Sequence, residues 1–209
     1  MVELFNKGGP FMWPLLAALV IGIAFILERL WTLTRASINA KTFFAHVEEA
    51  LRSGGPDAAA EICSNTRGPV ASVLHAGLLR AERGLVHVEK TIETSGSIEM
   101  AFLERGMVWL ATIANIAPLL GFLGTVSGMI KAFEAIALAG DVEPSLVASG
   151  ISEALITTAA GLAIAIPIQA FHNYFVSRID KIVIDMEESS AAFVDTLVEM
   201  GYGEEKGAA

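Results

Sequence analysis

The sequence predicts an all-α integral membrane protein: three spans, with long helices extending into the cytoplasm. Hydrophobic residues make up 54% of the 209 and charged residues 18%, which is more apolar side chain than one soluble core of this length needs. Residues 8–27, 106–130 and 154–177 contain no Asp, Glu, Lys or Arg. Each run is long enough to cross a hydrocarbon layer of about 30 Å at about 1.5 Å per residue. No stretch alternates as a strand would, and no internal repeat is visible.

Residues 1–9 are expected to form a short outer N-terminus and residues 10–31 the first span. Trp13 and Trp31 bracket that span 18 residues apart, about 27 Å of helix, a separation suited to two interfacial aromatic anchors. One basic residue precedes the span, no small-x-small cleavage site follows it and Glu28-Arg29 ends it, so it is expected to stay attached rather than be removed as a signal peptide. Residues 32–105 form a water-facing helical region. Phe43-Phe44, Val47 and Leu51, then Val70, Val73, Leu74 and Leu78, recur at helical spacing, while Gly54-Gly55-Pro56 and Arg67-Gly68-Pro69 break the region into short helices. This region reads as too polar to pack strongly alone, and as a set of stalks continuing the spans. From His87 a helical pattern runs directly into the second span, residues 106–137. A loop at 138–145, with Gly140-Asp141 as its turn signal, leads to the third span at 146–177 and a C-terminal helix and tail at 178–209. Nine of the 14 Lys/Arg lie from Arg29 to Arg105 and three follow the third span. Basic flanks mark the inner side, so the N-terminus is expected outside and the C-terminus in the cytoplasm.

Several chemistries are excluded. A net charge of −9 with no basic stripe argues against nucleic acid as a partner. Cys63 is the single cysteine, with no second thiol for a disulfide and no histidine cluster for a metal, and reads as a small buried apolar residue. His46, His75, His87 and His172 lack metal spacing. No Gly-rich loop ends in Lys-Ser/Thr, so nucleotide binding has no support. Ser149 has no histidine at its depth to act as a base, and no nucleophile–base pair of an intramembrane enzyme is present.

The last two spans hold the candidate site. With a turn centred on Gly140-Asp141, residue i of the second span lies level with residue 283 − i of the third, which pairs Thr125 with Thr158 and Pro118 with Ala165. On the second span Pro118, Gly121, Thr125, Gly128 and Ala132 form a small-residue face, and Ala154, Thr158, Gly161, Ala165 and Gln169 repeat it on the third. Such faces let helix backbones approach in lipid, and Gly124-x-x-x-Gly128 adds a further close-contact pair. Tight packing alone accounts for the glycines, and a hydroxyl bonded back to its own helix accounts for a threonine. Glu153 is harder to explain by packing. It adjoins an uncharged run where an unpaired carboxylate costs about 3 kcal/mol, which suits a group facing a hydrated proton path; the other reading places it at the outer interface, level with Ile130. Thr157, four residues on, can share a face with Glu153, whereas Thr158 lies about 140° away. Pro118 and Pro167 each remove a backbone hydrogen bond within a span and could kink it. Lys131 is expected to snorkel to the outer interface and pair with Glu134.

Residues 110–133, with Ala117-Pro-Leu-Leu-Gly-Phe-Leu-Gly-Thr-Val-Ser-Gly128 at their centre, and Ile151-Ser-Glu-Ala-Leu-Ile-Thr-Thr-Ala-Ala-Gly161 running on to Pro167, resemble the MotA/TolQ/ExbB proton-channel family. The run Gly8-Gly-Pro-Phe-Met-Trp-Pro-Leu-Leu16 followed by Glu28-Arg29-Leu30 is most similar to ExbB. The resemblance covers nearly the whole chain. It implies a ring-forming subunit of a bacterial inner-membrane motor, a pentamer in this family, with the N-terminus periplasmic and no cofactor beyond the proton motive force. The ring would surround single-span helices of an ExbD- or TolR-like partner that supplies a membrane Asp, and would drive a TonB- or TolA-like transducer. By motif position, Thr125 and Thr158 would be the pore-lining hydroxyls and Glu153 the membrane carboxylate. Phe122 departs from the pattern, where an aliphatic residue is commoner. A flagellar-stator role fits less well, because MotA-like chains have four spans and a larger cytoplasmic domain. A TolQ-like envelope-maintenance motor and a non-transporting scaffold are the alternatives.

Overall fold

The computed structural model describes residues 2–139 and 144–202, and every regular element among them is helical. The helices are α1 (Val2–Lys7), α2 (Met12–Ala36), α3 (Ala40–Asn65), α4 (Pro69–Leu78), α5 (Leu85–Glu104), α6 (Met107–Ala139) and α7 (Pro144–Glu199), with a short 3-10 turn at Ala81–Arg83. Three helices are long and apolar enough to cross a membrane. The 56 residues of α7 reach about 84 Å, well over twice the hydrocarbon thickness, so this helix must continue into water. The turn expected at Gly140-Asp141 lies outside the described residues.

Two breaks follow from local sequence. Gly55 (φ 77, ψ −173) interrupts α3 just before Pro56, where the Gly-Gly-Pro signal placed a boundary. The expectation of one unbroken helix from His87 into the second span is corrected: α5 stops at Glu104 and α6 starts at Met107. Gly106 between them has φ +89, a left-handed conformation that ends helices and that L side chains rarely adopt.

The chain divides into two compact units, Met1–Arg29 with Gly106–Tyr174, and Leu30–Arg105 with Phe175–Ala209. The first unit buries small residues beside large ones and turns many large apolar side chains outward. Its interior holds Ala114, Ala117, Ala132, Ala154 and Ala165 alongside Leu15, Leu110 and Ile168, while Val20, Leu27, Leu119, Phe122, Leu155 and Ile166 point outward. Large apolar side chains turned outward suit a hydrocarbon solvent, and alanines among the buried positions let helices approach. Phe25 stacks on Trp109 with ring centroids 6.2 Å apart.

The second unit has a core of its own, which corrects the reading of residues 32–105 as weakly packing stalks. Phe43, Val47, Leu51, Val70, Val73, Leu74 and Leu78, all singled out by their spacing, are buried there. The core is completed by Val88 and Ile92 of α5 and by Met186, Phe193 and Leu197 of α7. Residues 32–105 look too polar by themselves because part of their apolar complement lies about a hundred residues further along the chain. Gly77 seats this contact: a Cβ there would stand 3.0 Å from both Ile92 and Phe193.

Cys63 belongs to this core and is 3% exposed. Burial pushes its thiol from 9.0 up to about 11. The folded state therefore keeps a proton that the unfolded chain releases, and stability is lost as pH rises from 9.0 toward 11. In native membranes at neutral pH, Cys63 is expected to resist a membrane-permeant maleimide and to react fully in denaturant. Rapid labelling of the folded protein would mean that this core opens.

Candidate functional site

The site is built on the contact between α6 and α7, where the two backbones approach with almost no side chain between them. A Cβ added to Gly161 would lie 2.6 Å from the carbonyl oxygen of Ala117, and one added to Gly121 would lie 3.0 Å from that of Thr157. At Gly128 it would lie 2.8 Å from the carbonyl oxygen of Gly150 and 3.0 Å from the Ala154 nitrogen, and at Gly124 it would overlap the Thr157 side chain. The structure thus brings Gly121, Gly124, Gly128 and Gly161 into one seam.

The seam is rotated slightly from the face read in the sequence. On α6 it runs through Ala117, Gly121, Gly124, Gly128 and Ala132, so Pro118 and Thr125 stand beside it, half-buried. On α7 it runs through Gly150, Ala154, Thr157 and Gly161, leaving Thr158 half-buried and Gln169 exposed. The register shifts correspondingly: Gly121 meets Gly161 and Gly124 meets Thr157, one to two residues from the 283 − i rule. Gly124 has no side chain where Thr125 has a branched one, so the helices settle on the face that lets them come closest. Pro118 and Pro167 both lie inside continuous helices.

The three threonines differ in what they donate to. Thr125 Oγ1 donates to the Phe122 carbonyl at 2.6 Å and Thr157 Oγ1 to the Ala154 and Glu153 carbonyls at 2.9 and 3.1 Å, so both bond back to their own helix. Thr158 Oγ1 instead crosses the seam to the Gly121 carbonyl at 3.0 Å. Thr157 is fully buried. A hydroxyl that bonds between helices inside the apolar layer ties their relative rotation, a link the sequence reading assigned to neither helix.

Glu153 has a partner that the sequence reading missed. Its carboxylate accepts from Lys131 Nζ at 2.5 Å, in place of the expected Lys131–Glu134 pair. The reason is environmental. Glu134 is exposed on the same helix as Lys131, whereas the Glu153 side chain is only 18% exposed, and opposite charges attract more strongly away from water. The depth rule placed Glu153 level with Ile130, one residue from Lys131, so the signal was available. Gly9 also abuts this carboxylate so closely that any Cβ there would overlap Glu153 Oε1, and Gly8 packs against Met12 and Ile156.

Counted at about 100° per residue from the seam, these residues fall on two flanks of the helix pair. Lys131 and Glu153 lie on one flank, where Gly9 abuts the Glu153 carboxylate. Thr125, Thr158, Pro118 and Gln169 lie on the other. Glu153 and the Thr125/Thr158 hydroxyls therefore stand on opposite flanks, with Thr157 buried in the seam between them. No group of three or more His, Cys, Asp or Glu that could hold a metal occurs among the described residues.

The sequence profile of the MotA/TolQ/ExbB proton channel family matches residues 65–188, which include all of α6 and α7 as far as residue 188. The chain is 32% identical over 180 residues to an ExbB homolog of Methanothermobacter thermautotrophicus, an alignment covering 86% of this chain and 64% of that protein. It is 31% identical over 173 residues to the biopolymer transport protein exbB1 of Vibrio cholerae, covering 79% and 74% of the two chains. It is also 37% identical over 105 residues to the Tol-Pal system protein TolQ of Haemophilus influenzae, covering 50% and 46%.

The seam predicts which glycines are replaceable. Gly128→Leu and Gly161→Leu force side chains into facing backbone, and each is expected to destabilise the helix pair by about 1–3 kcal/mol or more. Gly96 in α5 has open space around it, so Gly96→Ala should be neutral or slightly stabilising. Thermal unfolding in detergent reads all three; tolerance of Gly161→Leu would show that α6 and α7 do not pack along this seam.

Proposed function

Because the chain belongs to the MotA/TolQ/ExbB proton channel family, we propose that it is the ring subunit of a proton-driven inner-membrane motor serving transport across the outer membrane. Family and relatives make it a membrane energy-transducing subunit. In the finer reading it forms a ring, a pentamer, around single-span helices of an ExbD- or TolR-like partner, and drives a TonB- or TolA-like transducer. Proton motive force is the energy source and no cofactor is needed. The similarity to TolQ keeps a Tol-type role in envelope maintenance as the second reading.

One observation carries the proposal: the helix pair separates Glu153 and Lys131 from Thr125 and Thr158 on two flanks of a seam of small residues. Thr125 and Thr158 sit on the flank open to another helix, where they can hydrate or hydrogen-bond a partner's membrane Asp. Glu153 sits on the flank covered by the chain's own N-terminal segment, paired with Lys131. An ion pair lets a carboxylate stand at the edge of an uncharged run for far less than the roughly 3 kcal/mol of a lone charge, and keeps it available to exchange partners when the assembly moves. Leu79, Val86 and Ile98 are exposed on the water-facing unit, the kind of surface that adjoining copies in a ring would cover.

The test is proton-motive-force-dependent uptake, with detergent resistance of the cells as the Tol-type readout and complex assembly followed in parallel. Glu153→Gln and Lys131→Met are expected to assemble and to lose most activity, and Thr125→Val and Thr158→Val to impair it. If Glu153→Gln assembles and transports like the parent, Glu153 is an interfacial residue and the site is misread. Orientation is tested separately by Leu138→Cys, at a position 90% exposed at the end of α6. It is expected to react with an impermeant maleimide from the periplasm, with Cys63 silent in its core; reaction only after the inner membrane is opened would reverse the topology.

A further inference from the structure

We propose that the water-facing unit binds the phosphodiester headgroup of an anionic membrane phospholipid, in a cavity formed where the end of α2 meets the α3–α4 loop. The cavity has a volume of about 670 Å³ and is lined by Trp31, Arg35, Arg67, His75, Glu99 and Phe102 among others. This site goes beyond the motor reading and does not depend on it.

The fold builds the cavity from distant parts of the sequence. Arg35 lies one turn after Trp31 on α2, with its guanidinium 5.3 Å from the Trp31 ring centre. Arg67 arrives from the far end of α3 because the Arg67-Gly68-Pro69 break turns the chain back toward α2. Gly68 makes that turn possible. Its φ is +138, and a Cβ would stand 3.3 Å from the carbonyl oxygen of Ala36 and 3.5 Å from Ile38. No other residue type combines that backbone with that approach. Pro69 then opens α4, whose first turn has no side-chain cap, and Ser72 on that turn faces the same space. Ser64 and Thr66 add hydroxyls to the lining.

Charge decides the class of ligand. Among the described residues, no ion pair engages Arg35, Arg67 or Glu99. Two guanidinium groups and one carboxylate leave one net positive charge, matching the single negative charge of a phosphodiester. Arginine is suited to phosphate because its planar fork donates two parallel hydrogen bonds. The uncapped first turn of α4 adds a partial positive charge of the same sense.

Position and shape favour a lipid over a free anion. Trp31 is 67% exposed and stands just beyond the uncharged run of the first span, where an aromatic ring marks the headgroup layer. Arg35 follows about 6 Å further along the helix, at phosphate depth. Trp31, Phe102 and Leu103 give the cavity an apolar wall that inorganic phosphate could not use but a glycerol backbone and acyl chain could. Basic pockets beside spans on the inner face are a recurrent way of holding anionic lipids.

The experiment uses the full chain, delipidated in neutral detergent and titrated with dihexanoyl phosphatidylglycerol. Retention is read by native mass spectrometry, with dihexanoyl phosphatidylcholine and inorganic phosphate as comparison probes. The parent is expected to hold one phosphatidylglycerol per chain, to prefer it to phosphatidylcholine, and to keep it against equimolar phosphate. Arg67→Gln is expected to weaken retention about tenfold, and Arg67→Lys to weaken it less. Arg67 is exposed on a loop and outside the core, so this variant should fold, and maleimide protection of Cys63 confirms that it has. Equal retention by parent and Arg67→Gln overturns the site. Equal binding of phosphatidylcholine overturns the anionic assignment, and displacement by phosphate overturns the lipid assignment. Loss of proton-driven uptake in Glu153→Gln is a separate readout that leaves this result untouched.

Discussion

Everything in the membrane unit depends on the backbone-to-backbone approach of α6 and α7. In water, two helices associate because apolar surface leaves the solvent; in hydrocarbon that force is absent, since lipid tails are as apolar as leucine. What remains is close van der Waals contact and hydrogen bonding, and both require small residues at the interface. Gly121, Gly124, Gly128, Gly150 and Gly161 meet that requirement so fully that an added methyl at any of them would press on the facing helix. The Thr158 hydroxyl then reaches the Gly121 carbonyl, a bond whose length of 3.0 Å is possible only because the glycine presents bare backbone.

This close contact also organises charge. A seam of Gly, Ala and one buried threonine leaves nowhere between α6 and α7 for a larger polar group, so longer polar side chains are displaced to the flanks. On one flank Lys131 finds Glu153, and the two charges offset much of each other's desolvation. The N-terminal Gly8-Gly9 segment packs against the Glu153 member of that pair, and a side chain at Gly9 would collide with the carboxylate. The seam, the ion pair and the N-terminal turn are therefore one connected arrangement. A change at Gly9 can reach Glu153 directly, without passing through the seam.

How much of this was legible in the sequence follows from the range of each interaction. The three apolar helices were readable because a hydrocarbon layer sets both a length and a composition, and runs without a single charge are easy to recognise. The core of the second unit was half readable: helical spacing picked out Val47, Leu51, Val73 and Leu74, but nothing local pointed to Phe193 and Leu197, which complete it from the far end of α7. The seam was placed on the correct side of α6 but rotated toward Thr125, because spacing cannot tell a glycine face from an adjoining threonine face; only the energy of closest approach can. The Lys131–Glu153 pair was missed for a similar reason. A local i, i+3 partner in Glu134 looked sufficient until the burial of Glu153 was known. Gly9 carried no signal of its contact at all, since a Gly-Gly-Pro run reads only as a turn.

The scaffold and channel readings ask different things of these two helices. A scaffold needs the small-residue seam and nothing more, and its flanks would be best filled with aliphatic side chains facing lipid or neighbouring copies. Replacing a partly desolvated ion pair by apolar residues of similar volume is often neutral or stabilising. The Lys131–Glu153 pair is therefore not required to hold α6 to α7, which the glycines already do. The same holds for Thr125, whose hydroxyl merely bonds back to the Phe122 carbonyl and adds nothing to packing between helices. Polar groups that a helix pair does not need for its own stability, set on its two flanks, call for a role beyond packing. The surplus of polarity at Glu153, Lys131 and Thr125, rather than the glycines, favours a proton-coupled subunit over an inert frame.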